Sequence, residues 1–469
     1  MPFRQKLIVL TIALALFMEA LDTTIINTAI PAMSLSLHVN PINLKIALIS
    51  YLLTLAVFIP ISGWIADKYG IKKVFIISIG IFTLSSLWCG FAHNLFDLVI
   101  ARGVQGIGGA LGVPLGRLIL FRMFERHKLV DIMSHVVMVA ALGLMLGPVL
   151  GGIITHNLSW PWIFWVNVPV GIFTMLMAGW LLIAMPVEPV APLDKLGFVL
   201  FGASLAGLTF SLSALSESAL NFSTVVEVGV VSVLLLVAYV WHSANHPHPI
   251  VDPELFKFRS FQVSTVGNLI SRIGFGGLPF LLPIVLQISL GYSSQEAGLL
   301  MAPLALGILI VKPFSFRLLH DFGYKKMLIV NTALVTFSIW SFMFVNASTP
   351  VYLIIIFTFF FGFLLTLQFS AMNSLAYAEI SSTQLSGATS VMGTLQQMSQ
   401  SFGVAIGALL IHFFSKGSSS DFSLTLIVFH RAFFVMGLVT LASMLIFIRL
   451  RPEDGRQMLE GTSYFEKRG

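Results

Sequence analysis

Apolar residues fall along this chain in long unbroken runs, each closed by a short cluster of Lys, Arg, Asp, Gly or Pro. The runs lie near 7–33, 44–64, 74–92, 95–121, 131–154, 162–185, 195–215, 224–243, 261–290, 295–316, 327–346, 350–376, 384–412 and 425–449. A helix needs about 20 apolar residues to cross a bilayer. The runs are apolar all round, without the alternation of a half-buried strand. Such segments are helices whose surroundings are lipid or other helices. The pattern predicts an all-α integral membrane protein with about 14 crossings. The first run is too long for a signal peptide, and no small-residue cleavage site follows it.

Composition narrows the class. The chain has 469 residues, 57% hydrophobic and 10% charged, with a mean hydropathy of +0.94. A soluble domain has about 25% charged residues, so no sizeable soluble domain fits between the runs. The single cysteine, Cys89, excludes an internal disulfide framework or a Cys-based zinc cluster. There is no His-Glu-x-x-His, no Gly-x-Ser-x-Gly and no Walker A loop, so neither metal nor cofactor is expected.

The charges orient the chain. With the N-terminus placed inside, the inner segments hold nineteen Lys and Arg residues, from Arg4 and Lys6 to Lys467 and Arg468, and the outer loops hold only Lys416. That asymmetry predicts cytoplasmic termini and a plasma (inner) membrane location. The net charge of +6 then faces anionic lipid, and no nucleic-acid partner is expected.

A weak repeat divides the chain. Gly63-Trp-Ile-Ala-Asp67-Lys-Tyr-Gly70-Ile-Lys72-Lys73 and Asp321-Phe-Gly-Tyr-Lys-Lys326 both set Asp before an aromatic, Gly and a Lys pair at an inner turn. The expected domains are a six-helix bundle over 1–185, two inserted helices and an inner linker over 186–260, a second six-helix bundle over 261–449, and a cytoplasmic tail over 450–469. Paired bundles around a midplane site are how many transporters are built.

Charged residues inside the runs are the candidate chemistry, because each is costly in lipid unless paired, neutralised or facing water. Glu19 and Asp22 share one face of the first run, about 4.5 Å apart along the axis. Two carboxylates so placed suit a proton carrier. Arg102 lies about 9 Å inside the fourth run and needs an anion; Asp22 is the natural partner. Arg272 lies about 17 Å inside the ninth run, with no Asp or Glu over 261–290. Arg117 and Lys312 sit near inner ends. Gly143, Gly147 and Gly151 repeat every four residues beside Pro148 and Gly152, a seam for close helix packing.

These motifs resemble the 14-helix EmrB/QacA-type drug:proton antiporters of the major facilitator superfamily. Leu21 to Pro31 looks like that group's first-helix motif, and 63–73 its inner-loop motif. The Arg102 stretch is similar to the proton-linked motif of helix four, and Gly143 to Gly152 to the antiporter motif. Trp162 to Gly171 also fits. The second half matches more weakly, and its inner turn lacks the leading Gly. Val113 to Leu118 and Arg272-Ile273-Gly274 are similar to the MdtD-like branch, which is named for drug export and also associated with citrate-like carboxylates. Glu19 departs from that branch, where an uncharged polar residue is expected.

The resemblance implies a proton-coupled exporter working by alternating access, driven by the proton gradient without a cofactor. Asp22 would carry the proton, with Arg102 modulating it; the spacing of the two carboxylates, not the resemblance, adds Glu19 to the coupling site. The cargo is read from charge: Arg272, with Arg117 and Lys312, would bind a carboxylate, citrate-like or a carboxylate siderophore, whereas Glu19 with Asp22 could serve a hydrophobic cation. Gly63, Asp67, Gly70 and Lys72 would gate with the seam. Efflux of hydrophobic or cationic drugs is the alternative, and a non-transporting membrane sensor the alternative outside transport. No oligomeric state is implied.

Overall fold

The structure is a computed structural model that describes residues 3–124, 126–183, 187, 190–215, 221–381, 384–415 and 425–455. The helices follow the apolar runs, since in lipid a helix satisfies its own backbone groups. They are α1 (Phe3–Leu37), α2 (Pro41–Tyr69), α3 (Ile71–Gly90), α4 (Leu95–Met123), α5 (Arg126–Asn157), α6 (Trp162–Leu181) and α7 (Lys195–Ala214). There follow α8 (Phe222–Asn245), α9 (Arg259–Ser289), α10 (Ser294–Ile310), α11 (Lys312–Ser341), α12 (Val351–Ala376), α13 (Leu385–Ser415) and α14 (Leu426–Phe447). Among the described residues 13 helices are long and apolar enough to cross a membrane, and α10 is apolar but shorter.

Breaks fall where the sequence supplies them. Asn94 caps α4 by accepting from the Asp97 N–H. Gly70 stands between α2 and α3 at φ +88°, and Gly323 bends α11 at φ +70°, a conformation open to glycine at no steric cost. A turn at Gly276–Gly277 interrupts α9, which ends in a π-helical turn over Val285–Ser289.

The chain divides into two compact units. One holds residues 1–206 and 282–302; the other holds 207–281 and 303–469. In the first, Ile12, Leu16, Tyr51, Leu55, Phe75, Phe82, Leu115 and Ile119 form the core between α1, α2, α3 and α4. In the second, Val263, Tyr324, Leu328, Met372, Leu375, Phe447 and Leu450 do so between α9, α11, α12 and α14.

Past α14 the chain folds back onto this second core. Leu450 is buried, Asp454 pairs with Arg259 at 3.4 Å, and Gly455, at φ +80°, packs against Tyr324 and Leu375. Many outward residues are apolar, most of all on α8, where Val226, Val230, Val233, Leu234, Val237 and Trp241 are exposed. Lipid is the medium that such a face requires.

Candidate functional site

The first unit buries an ion pair. Arg102 Nη1 lies 2.5 Å from Asp22 Oδ2, and the two side chains are 1% and 0% exposed. A buried pair is tolerable only where the remaining hydrogen-bonding capacity is met, and most of it is. Gln105 Nε2 and Asn167 Nδ2 donate to Asp22 Oδ1 at 2.9 and 3.0 Å. Arg102 Nη1 also donates to Gln105 Oε1 at 2.7 Å. Ser86 Oγ accepts from both amides and donates to the Phe164 carbonyl. Arg102 Nε is buried without an acceptor among the described residues. The guanidinium lies 4.3 Å from the centre of the Tyr51 ring.

Glu19 does not touch the pair directly. Tyr51 bridges to it, donating its hydroxyl to Glu19 Oε1 at 3.4 Å. Glu19 is half-buried, whereas Asp22 is sealed. The sequence reading singled out Asp22, Arg102 and Glu19 but missed Tyr51, Ser86, Gln105 and Asn167. The available signal was a polar side chain inside an apolar run; Gln105 and Asn167 even stand within the quoted motifs.

The glycine seam packs onto α1. A Cβ at Gly143 would meet the Phe17 carbonyl, one at Gly147 would meet Thr24 and the Ile25 N–H, and one at Gly151 would meet Ile25 and Thr28. Gly152 faces Ser294 and Gln295 instead, and the Pro148 carbonyl abuts Gly298. The seam thus holds the stretch of α1 that carries Asp22.

At the turn between α2 and α3, Asp67 pairs with Arg122 at 2.7 Å. Lys72 Nζ donates to the Gly179 carbonyl at 2.8 Å. Gly63 has open space around it.

Of the proposed cargo cations, Arg117 belongs to the first unit, and Arg272 and Lys312 belong to the second. Arg117, in the first unit, is exposed and makes no hydrogen bond or ion pair among the described residues. The Lys312 side chain lies outside the described residues. Arg272, in the second unit, is half-buried, and among the described residues no carboxylate pairs with it. Its Nε donates to Asn268 Oδ1 at 2.7 Å, and its guanidinium lies 3.8 Å from the centre of the Phe369 ring.

Comparison with known proteins places this architecture. The family model for the Major Facilitator Superfamily matches residues 12–243 and 265–466. The chain belongs to this superfamily. It is 36% identical over 450 residues to an Escherichia coli (strain K12) protein that carries the name multidrug resistance protein MdtD, covering 95% of this chain and 94% of that one. The Enterobacter sp. (strain 638) protein of the same name is 34% identical over 454 residues, covering 96% of each.

Solved members share the fold at low identity. An auto-inhibited POT family peptide transporter superposes with a TM-score of 0.71 at 16% identity, covering 96% of this chain and 98% of its own. A D-xylose-proton symporter gives 0.68 at 14% identity with the same coverage. The all-helical, multi-pass superfamily fold expected from the sequence is the fold observed, and the chain is a transporter, not an enzyme.

Proposed function

We propose that this transporter is a proton-coupled exporter of small organic molecules, with Asp22 as the proton site. One observation carries the reading: Asp22 and Arg102 form a charge pair sealed from solvent and joined to half-buried Glu19 through Tyr51. Protonation of Asp22 would remove the charge that holds Arg102, so the state of the pair would couple proton binding to helix packing. A sealed pair cannot exchange its proton where it stands; exchange needs a second conformation, which is the alternating-access cycle. Glu19 is the more accessible carboxylate of the coupling site. The driving force in this reading is the proton gradient across a plasma (inner) membrane, with both termini cytoplasmic.

For cargo, a carboxylate is favoured, because Arg272 is a deep cation without an acid partner among the described residues; Arg117 and Lys312 are the further cations assigned to it. The names of the relatives favour a second reading, efflux of hydrophobic or cationic drugs.

The coupling test is Asp22→Asn, which keeps size and removes titration. In proteoliposomes with an imposed pH gradient, proton-driven transport should vanish while substrate binding is partly retained. Normal proton-driven flux through this variant would remove Asp22 from the mechanism.

A further inference from the structure

Arg272 differs from Arg102 in what its terminal nitrogens meet. Nη1 of Arg102 is consumed by Asp22 and Gln105. Among the described residues neither terminal nitrogen of Arg272 makes a hydrogen bond, and neither is a buried unsatisfied atom, so both stay accessible. A guanidinium is a planar fork matched to a carboxylate. Here the Phe369 ring faces its central carbon at 3.8 Å and Asn268 takes its Nε. Both contacts fix the direction in which the fork points.

The neighbouring amides are set by the same charge. Arginine only donates, so Asn268 must turn its carbonyl oxygen to Nε. Its amide nitrogen is then directed to Asn373 Oδ1, at 3.5 Å, and Gln396 Nε2 donates to that same oxygen at 2.8 Å. With its oxygen accepting from both, Asn373 has its NH2 left over, not sealed and without a partner among the described residues. The fork and the Asn373 amide are therefore donors separated by one asparagine side chain and two hydrogen bonds. Gln396 Oε1 is the acceptor left over at the end of the chain. The Gly276–Gly277 break in α9 follows Arg272 by one turn, and Gln400 caps the Gly276 carbonyl at 2.9 Å. Interrupted membrane helices are where transporters place ligands.

We propose that the Arg272 fork and the Asn373 amide form an anion site for a di- or tricarboxylate, in which Phe369, Asn268 and Gln396 are positioning residues. One carboxylate seats on the fork and a second on the Asn373 NH2. The proposal rests on the exporter reading and deepens its cargo.

The test uses the full chain in liposomes, with citrate and acetate as probes and KM read apart from kcat. Arg272→Gln should abolish saturable citrate transport. Phe369→Leu, which keeps an apolar group but loses the flat face, should raise the citrate KM about tenfold with kcat retained, and Phe369→Trp should restore it. Arg272→Lys should cost far less in the Phe369→Leu background than alone, because the fork is already unaligned. Asn373→Leu should remove the preference for citrate over acetate.

Citrate transport untouched by Arg272→Gln, or absent from the native protein, overturns the carboxylate cargo itself. Loss with Arg272→Gln but a native KM with Phe369→Leu overturns the positioning role alone. Should Phe369→Leu fail to assemble, Asn268→Asp serves: it keeps shape but gives the guanidinium a fixed acid, so citrate transport should be lost. Native citrate transport in that variant overturns the proposal.

Discussion

At the scale of single residues, the Asp22–Arg102 pair is bound to its neighbours more by what its absence would cost than by what it contributes. Removing one partner of a buried pair strands the other charge, at about 3–5 kcal/mol, whereas removing both charges together costs far less. Arg102→Ala should therefore lose transport and melt well below the native protein. Adding Asp22→Asn to it should recover much of the melting temperature without recovering transport. Equal melting of the single and double variants would mean that the two residues are not energetically coupled. The pairing was legible in the sequence because lone charges inside apolar runs demand opposite partners. Gln105, Asn167 and Ser86 were not, since neutral polar groups barely alter hydropathy. Phe369 was hidden for a simpler reason: it is one of 41 phenylalanines, and nothing in spacing marks the one beneath a guanidinium.

At the scale of elements, the seam between α1 and α5 ties helix packing to the buried charge. The glycine repeat was legible as a close-packing face; that its partner is α1 was not, because a small-residue stripe names no counterpart. Even one methyl group at position 147 would meet Thr24 and the Ile25 N–H, two and three residues beyond Asp22. Gly147→Ala should leave insertion intact and reduce transport about tenfold or more, the order expected when a buried group is displaced by about 1 Å. The exchange Thr24→Gly with Gly147→Ala moves the small residue across the seam and should restore part of the loss. Transport at the native rate in Gly147→Ala would show that α1 has room to spare.

At the scale of the molecule, the two units treat their deep arginines oppositely. The first encloses Arg102 with an acid and two amides; the second leaves the Arg272 fork accessible. Membrane-crossing helices, their number and their ends followed from run length and Lys/Arg clusters, because the bilayer fixes both. The interruption in α9 was less legible: Gly276–Gly277 reads as ordinary small residues until Gln400 is found on the freed carbonyl.

The fold-back after α14 has a consequence for how the protein is made. Leu450, Asp454 and Gly455 complete a core whose other members, Val263 to Leu375 with Phe447 aside, leave the ribosome far earlier. Domains generally fold as their residues emerge, yet this one waits for its last few contributors. Until they arrive, Arg259 lacks its acid and the Tyr324 ring lacks its cover. A stop codon placed at 450 should therefore give a chain that inserts all its helices but is cleared by quality-control proteases, with steady-state abundance several-fold down. A stop placed at 456 should spare it. Equal abundance of the two truncations in a pulse-chase would show that the second unit closes without this segment.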